Sequence, residues 1–153
     1  MSLLLKSLQA NLEYMARELG ADLFGVADLT AVQDFICRQG GEQLNKFPKA
    51  ISIGIHLPDA VVNELYRHED KTAICAYSDL YTSINLHLDN IASLLTKKIQ
   101  EQGYQAYPVP ASQTVDPEKF IGVFSHKLAA NLAGLGWIGK SCLPRRGHLH
   151  LRL

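Results

Sequence analysis

The chain has 153 residues, 47% of them hydrophobic and 20% charged, and its fifteen basic residues balance fifteen acidic ones. That is the length of one domain and the composition of an ordinary globular protein. Neutrality removes the electrostatic footprint that DNA, RNA or an acidic membrane surface needs, and no apolar run approaches the ~20 residues of a membrane span.

Cys37, Cys75 and Cys142 are odd in number and far apart. No C-x-x-C pair occurs, so neither a zinc ribbon nor a self-contained iron–sulfur site is encoded. A disulfide framework is not expected, and a reducing cytoplasm is the expected location. The opening MSLLLK is too short an apolar run for a signal peptide, and Glu13, Arg17 and Glu18 follow it.

Leu5, Leu8, Leu12, Met15 and Leu19 recur at spacings of three and four, which predicts a helix with one core-facing stripe. Ser2 is its expected cap and Gly20 its expected end. Residues 23–27 (LFGVA) read as a strand. Thr30 and Gln33 have the form of a capping box, starting a short helix that stops at Gly40 and Gly41. Residues 50–55 (AISIGI) are the clearest strand, with Ile51, Ile53 and Ile55 facing one way and Ser52 and Gly54 the other. Gly54 inside it points to a neighbour packed close to the backbone.

Asp59 is expected to cap a short helix through Leu65, and the polar residues 66–71 to form an exposed loop. The longest helix is predicted over 78–102. Leu80, Ile84, Leu88, Ile91, Leu95 and Ile99 mark its apolar face, with Tyr77 and Tyr81 at its entrance. Beyond Gly103, residues 104–110 resume an extended path, which Pro108 and Pro110 restrict to an edge strand or a loop. Asp116 and Pro117 look like a helix start, Ser125 caps a further helix over 127–133, and the tail 148–153 alternates like a half-buried strand. About four strands around one dominant helix, with no repeat and no linker, predict an α+β layered domain.

The stretch 125–141 (SHKLAANLAGLGWIGKS) is the most informative part of the chain. Gly134, Gly136 and Gly139 suit a tight turn or a close approach. Residues 134–141 also fit the pattern GxxxxGK[ST] letter for letter. A P-loop, however, joins a buried strand to a long helix whose N-terminus faces the phosphate. Here an alanine-rich helix comes first, Pro144 and Gly147 follow, and no aspartate occurs after Asp116 to hold magnesium. Nucleotide hydrolysis is therefore set aside.

Trp137 has two readings, a hydrophobic plug over the core or the wall of a cofactor cleft. Lys140 is ordinarily solvated, but at the rim of a glycine loop it can pair with a carboxylate, an amide oxygen or a phosphate. Cys142 reads as an inert buried thiol or, directly after the loop, as a reactive one. His126, beside Ser125, is first of all a capping or surface histidine. His87 reads as a surface residue. His56 ends the isoleucine strand, and His148 and His150 share one face of the tail; neither placement makes a designed metal site.

Three segments occur in order: 47–55 (FPKAISIGI), 104–112 (YQAYPVPAS) and 125–141. Together they resemble the N-terminal half of epoxyqueuosine reductase-like proteins, relatives of the reductive dehalogenases. The resemblance extends to about Leu143, and its last motif is the specific one. It implies a corrinoid-binding-type domain over 1–143 and an atypical tail over 144–153. The implied fold is an α/β/α sandwich of nitroreductase type, with a central, mostly antiparallel sheet of four or five strands. The implied cofactor is cobalamin. Ala111, Ser112, Gly136, Trp137, Gly139, Lys140, Ser141, Cys142 and Leu143 would line its cleft, with backbone N–H groups and Lys140 on the corrin amides or nucleotide tail. Phe120 and His126 would lie on the substrate side. A following domain with two [4Fe–4S] clusters would supply electrons to the cobalt, and a modified tRNA base is the substrate of the queuosine enzyme.

This sequence departs from that pattern in three places. The family's aspartate proton donor should fall near Phe120, and the nearest acid, Asp116, is out of register. The cluster cysteines are missing. The residues after Ser141 are unlike the apolar strand and turn that the family places there. The expectation is thus a cofactor-binding module of an iron–sulfur oxidoreductase without the family's acid. It is either truncated or shifted in frame after Leu143, or completed by a separate iron–sulfur partner subunit. The alternatives are a noncatalytic domain that forms homodimers or binds a partner through exposed apolar surface, and a flavin-binding protein of nitroreductase type.

Overall fold

The leucine stripe of residues 5–19 becomes one face of helix α1 (Leu3–Glu18) in the computed structural model, which describes residues 3–40, 42–67, 69–112, 122–138, 144–146 and 149–152. Leu12 and Ala16 are buried, with Leu8, Met15 and Leu19 packed beside them. Leu5, at the open end of the stripe, is 39% exposed.

Strands β1 (Leu23–Asp28) and β2 (Lys49–His56) pair antiparallel, with Phe24 opposite Ile53 and Val26 opposite Ile51. Alternation gives this sheet two unlike faces. Phe24, Val26, Ile51, Ile53 and Ile55 pack with α1 and with Leu88, Ile91 and Leu95 of the long helix α5 (Lys71–Glu101). The opposite face carries Leu23, Gly25, Ala27, Ala50, Ser52 and Gly54. Its small side chains let α6 (His126–Leu132) lie close to the strands. A Cβ on Gly25 would meet the Cβ of Ala133 at 2.9 Å, which is the close packing that glycine in a strand signals. Between β1 and β2 come α2 (Gln33–Gly40) and α3 (Glu42–Asn45), whose Ile36 and Leu44 pack on Ala27 and Leu29. The chain is therefore a mixed helix and strand fold with helices on both faces of an antiparallel sheet.

Further along, α4 (Asp59–Val62) is followed by a 3-10 turn over Asn63–Tyr66. Residues 104–110 belong to no helix or strand. Near the end, β3 (Trp137–Ile138), β4 (Pro144–Arg146) and β5 (Leu149–Arg152) are short backbone strands. β5 pairs with the last two residues of β2. No helix among the described residues is long and apolar enough to cross a membrane.

Three local expectations need correction. The long helix begins at Lys71, not 78, because the Asp70 carboxylate accepts the Thr72 N–H at 2.8 Å and caps it. Residues 71–76 mostly face solvent, so no apolar period marks them, and Tyr77 and Tyr81 lie inside the helix. Its 31 residues make it roughly 46 Å long. The capping box at Thr30 does not form. Asp28 instead accepts from the Thr30 N–H and hydroxyl at 2.9 and 2.5 Å, and the Gln33 amide donates to the Phe47 carbonyl at 3.2 Å. Asp59 is the first residue of α4 rather than its cap, which is Pro58. The predicted helix start at Asp116 lies outside the described residues.

Candidate functional site: a cleft beside strand β2

A cleft of about 710 Å³ opens along β2. Phe24, Val26, Ile51 and Ile53 form its apolar floor, and Leu88, Ala92 and Leu95 of α5 form one wall. Ala129 of α6 reaches it from the opposite face of the sheet, and residues 104–109 run along its far side. Ile51 and Ile53 are consequently only half-buried, although they sit at the centre of the clearest strand.

One end of the cleft is polar, and there the 110–112 turn is tied to two helices. Asp89 of α5 accepts the Ala111 N–H at 2.7 Å. His126, the first residue of α6, stands with Nε2 2.9 Å from the Pro110 carbonyl. A carbonyl only accepts, so Nε2 carries the proton and donates. Tyr81 and Ser112 share a hydroxyl hydrogen bond of 2.8 Å. Ser125 fixes the origin of α6, its Oγ accepting the Leu128 N–H at 3.3 Å. A turn without regular structure is thus held by side chains from α5 and α6, which offsets the entropy of ordering it.

Burial pushes the His126 imidazole below its ordinary value, against smaller upward contributions from the Pro110 hydrogen bond and the nearby Asp89 charge. It is therefore neutral at neutral pH. At the other end of the cleft Asp28 lies 3.6 Å from Lys49, both exposed. Hydrogen bonds from Thr30, more than the lysine, hold the Asp28 carboxyl below the usual range. An apolar floor with a few fixed polar groups at its end is the usual composition of a small-molecule site.

Ala111 and His126, singled out from the sequence, meet at the polar end of this cleft, and Ser112 adjoins them. Gly136 does not join them. Its carbonyl accepts from the Asn131 amide at 3.2 Å, Gly134 turns the chain with φ +73°, and Leu135 is buried against Leu23 and Ala130. The described start of the glycine loop is therefore anchored on the small-residue face of the sheet. Trp137 begins β3. Phe120, Gly139, Lys140, Ser141, Cys142 and Leu143 lie outside the described residues.

Sequence reasoning missed Asp89. The available signal was an acid immediately beside the apolar stripe of a long helix, where a charge needs a partner. Among the described residues no three His, Cys, Asp or Glu side chains gather as a metal site. Cys37 is half-buried and Cys75 exposed, both as free thiols. No family model, no curated protein and no solved structure matches this chain.

Proposed function

We propose that the chain is the cofactor-holding module of a corrinoid-dependent iron–sulfur oxidoreductase related to the epoxyqueuosine reductases. The proposed architecture is an α/β/α sandwich of nitroreductase type on a sheet of four or five strands. The observation that carries the reading is the fixed 110–112 turn. Ala111 and His126, which the resemblance assigns to the cofactor and substrate sides, share one end of an apolar cleft, and Asp89, His126 and Tyr81 hold the turn between them.

The wall fits a corrin edge in two respects. Ala111 presents a small side chain that admits a flat ring, and the turn is preorganised, so little ordering is left to the binding step. Bound there, a corrinoid would supply a cobalt centre that accepts and delivers electrons. The chain's own residues would bind it, orient it and exclude water, with the neutral His126 imidazole facing the substrate side. The described residues offer no ligand set for an iron–sulfur cluster. Electron supply is left to the iron–sulfur unit that the resemblance implies, and no step is derived through it. The Phe120 position provides no acid, so proton delivery is not assigned to this chain.

Titration with hydroxocobalamin tests the reading. A saturable change in the visible spectrum with matching heat by calorimetry is expected. An unchanged spectrum and no heat would reject it.

A further inference from the structure

The peptide bond between Pro110 and Ala111 is held at both of its polar atoms. Its carbonyl accepts from His126 Nε2 at 2.9 Å, and its N–H donates to Asp89 Oδ1 at 2.7 Å. In a trans peptide these two groups point opposite ways, so the histidine and the aspartate stand on either side of it. Each side chain then has one acceptor atom left over. The neutral imidazole keeps its proton on Nε2, which leaves Nδ1 bare. Asp89 has Oδ2 left. Among the described residues neither atom has a hydrogen-bond or ion-pair partner, and both side chains line the cleft.

The charges along the lining do not balance at this end. Of the two acids among the described lining residues, Asp28 has Lys49 3.6 Å away at the other end of the cleft. Asp89 has no such cation, because Lys49 is the one lysine or arginine among those residues. Leu88 and Ala92, which flank Asp89 along α5, and Phe124 and Ala129, which flank His126, are apolar. A carboxylate or phosphate entering here meets a like charge on Asp89 and a second acceptor on His126, an unfavourable exchange for its hydration shell. An N–H group instead meets two acceptors whose positions are already fixed by the peptide between them.

We infer that the 110–112 end of the cleft takes a ligand edge that presents primary amide N–H groups and rejects one that presents a carboxylate. Asp89 Oδ2 and His126 Nδ1 accept the N–H groups, and the apolar floor takes the body of the ligand. Asp89 is thus a specificity-determining residue as well as a tie for the turn. The inference deepens the cofactor reading and rests on it for the natural ligand, since a corrin carries primary amides around its rim. The choice of amide over carboxylate rests on the two acceptors, and small flat molecules report it without a corrinoid.

The test compares indole-3-acetamide with indole-3-acetate, two flat bicyclic molecules that differ only in the head group. Binding to the full chain and to its Asp89→Asn variant is read by NMR titration at neutral pH, with the His126 ring nitrogens followed in nitrogen-15-labelled protein. The parent is expected to bind the acetamide about tenfold more tightly than the acetate, and the Nδ1 signal to move upfield as that atom accepts a hydrogen bond. The substitution keeps a carbonyl for the Ala111 N–H and puts an N–H2 group where Oδ2 was. The preference is then expected to fall to about parity, through a gain for the acetate rather than a loss for the acetamide, because a primary amide offers a carbonyl as well as N–H groups. Equal affinity for the two molecules in the parent would overturn the inference. So would an unmoved Nδ1 signal at saturation, an unchanged preference in the variant, or no acetamide binding at about 1 mM, the weak end of specific association. Selective binding of the acetamide with a failed cobalamin titration would reject the cofactor reading alone. Cobalamin binding without that selectivity would reject the inference alone.

Discussion

Gly25 of β1 and Ala133, the C-cap of α6, touch so closely that any side chain on the glycine would overlap its neighbour. A Cβ there would lie 2.9 Å from the Ala133 Cβ, 3.0 Å from its carbonyl oxygen and 3.0 Å from Leu135 Cδ2. One of these atoms is backbone, so rotation of a side chain does not relieve the overlap. Gly25→Ala is expected to destabilise the protein by about 1–3 kcal/mol. Urea unfolding measures this, and a midpoint equal to that of the parent would show that α6 shifts freely.

Asp89 is the acceptor that holds the Ala111 N–H at 2.7 Å. Asp89→Ala leaves that half-buried donor unpaired, at a cost of about 1–3 kcal/mol, and should speed exchange of the Ala111 amide. Asp89→Asn keeps a carbonyl acceptor and should restore most of the protection. The cofactor reading adds a second readout, weaker cobalamin binding by the alanine variant only. Equal exchange in all three proteins would dismiss the tie as incidental.

Asp70 caps α5 through the Thr72 N–H and also pairs with Arg67. Asp70→Ala should destabilise the start of the helix, with the loss confined to the first turns, residues 71–77. Exchange rates along the helix separate a local effect from a global one. Uniform acceleration as far as Ile91, which is fully buried, would show that the cap governs the whole helix. Hydrogen bonding from the Thr72 N–H, with help from Arg67, holds the Asp70 carboxyl below its usual value. The contribution of the cap is therefore complete above about pH 4 and lost as the pH falls through the folded value.

His126 titrates with the opposite chemistry but the same direction in pH. Its folded value is depressed below 6.5 by burial. The unfolded chain therefore takes up a proton first as the solution is acidified. The stability associated with it is whole above pH 6.5 and declines as the pH falls from there toward the folded value. His126→Gln removes the titration and should flatten that part of the stability curve. Chemical denaturation from pH 7.5 to 5 reports the slope, and parallel curves for the two proteins would refute the assignment.

Local periodicity was enough to find α1, β1, β2, most of α5 and the Ser125 cap of α6. Each depends on which residues turn inward, and the spacing of apolar side chains records that. It was not enough for the start of α5, where solvated residues carry no period and the Asp70 carboxylate decides. Nor did it find the tie between Asp89 and Ala111, which are 22 positions apart, or the one between His126 and Pro110, which are 16 apart. The sequence by itself determined that Ile51, Ile53 and Ile55 share a face and that Ala111, Ser112 and His126 warranted attention. Only the tertiary structure decided that Ile51 and Ile53 line a cleft while Ile55 is buried, and that α5 and α6 meet across the 110–112 turn. Alternation says that a face seeks cover, whereas the identity of the cover is set by contacts between segments far apart along the chain.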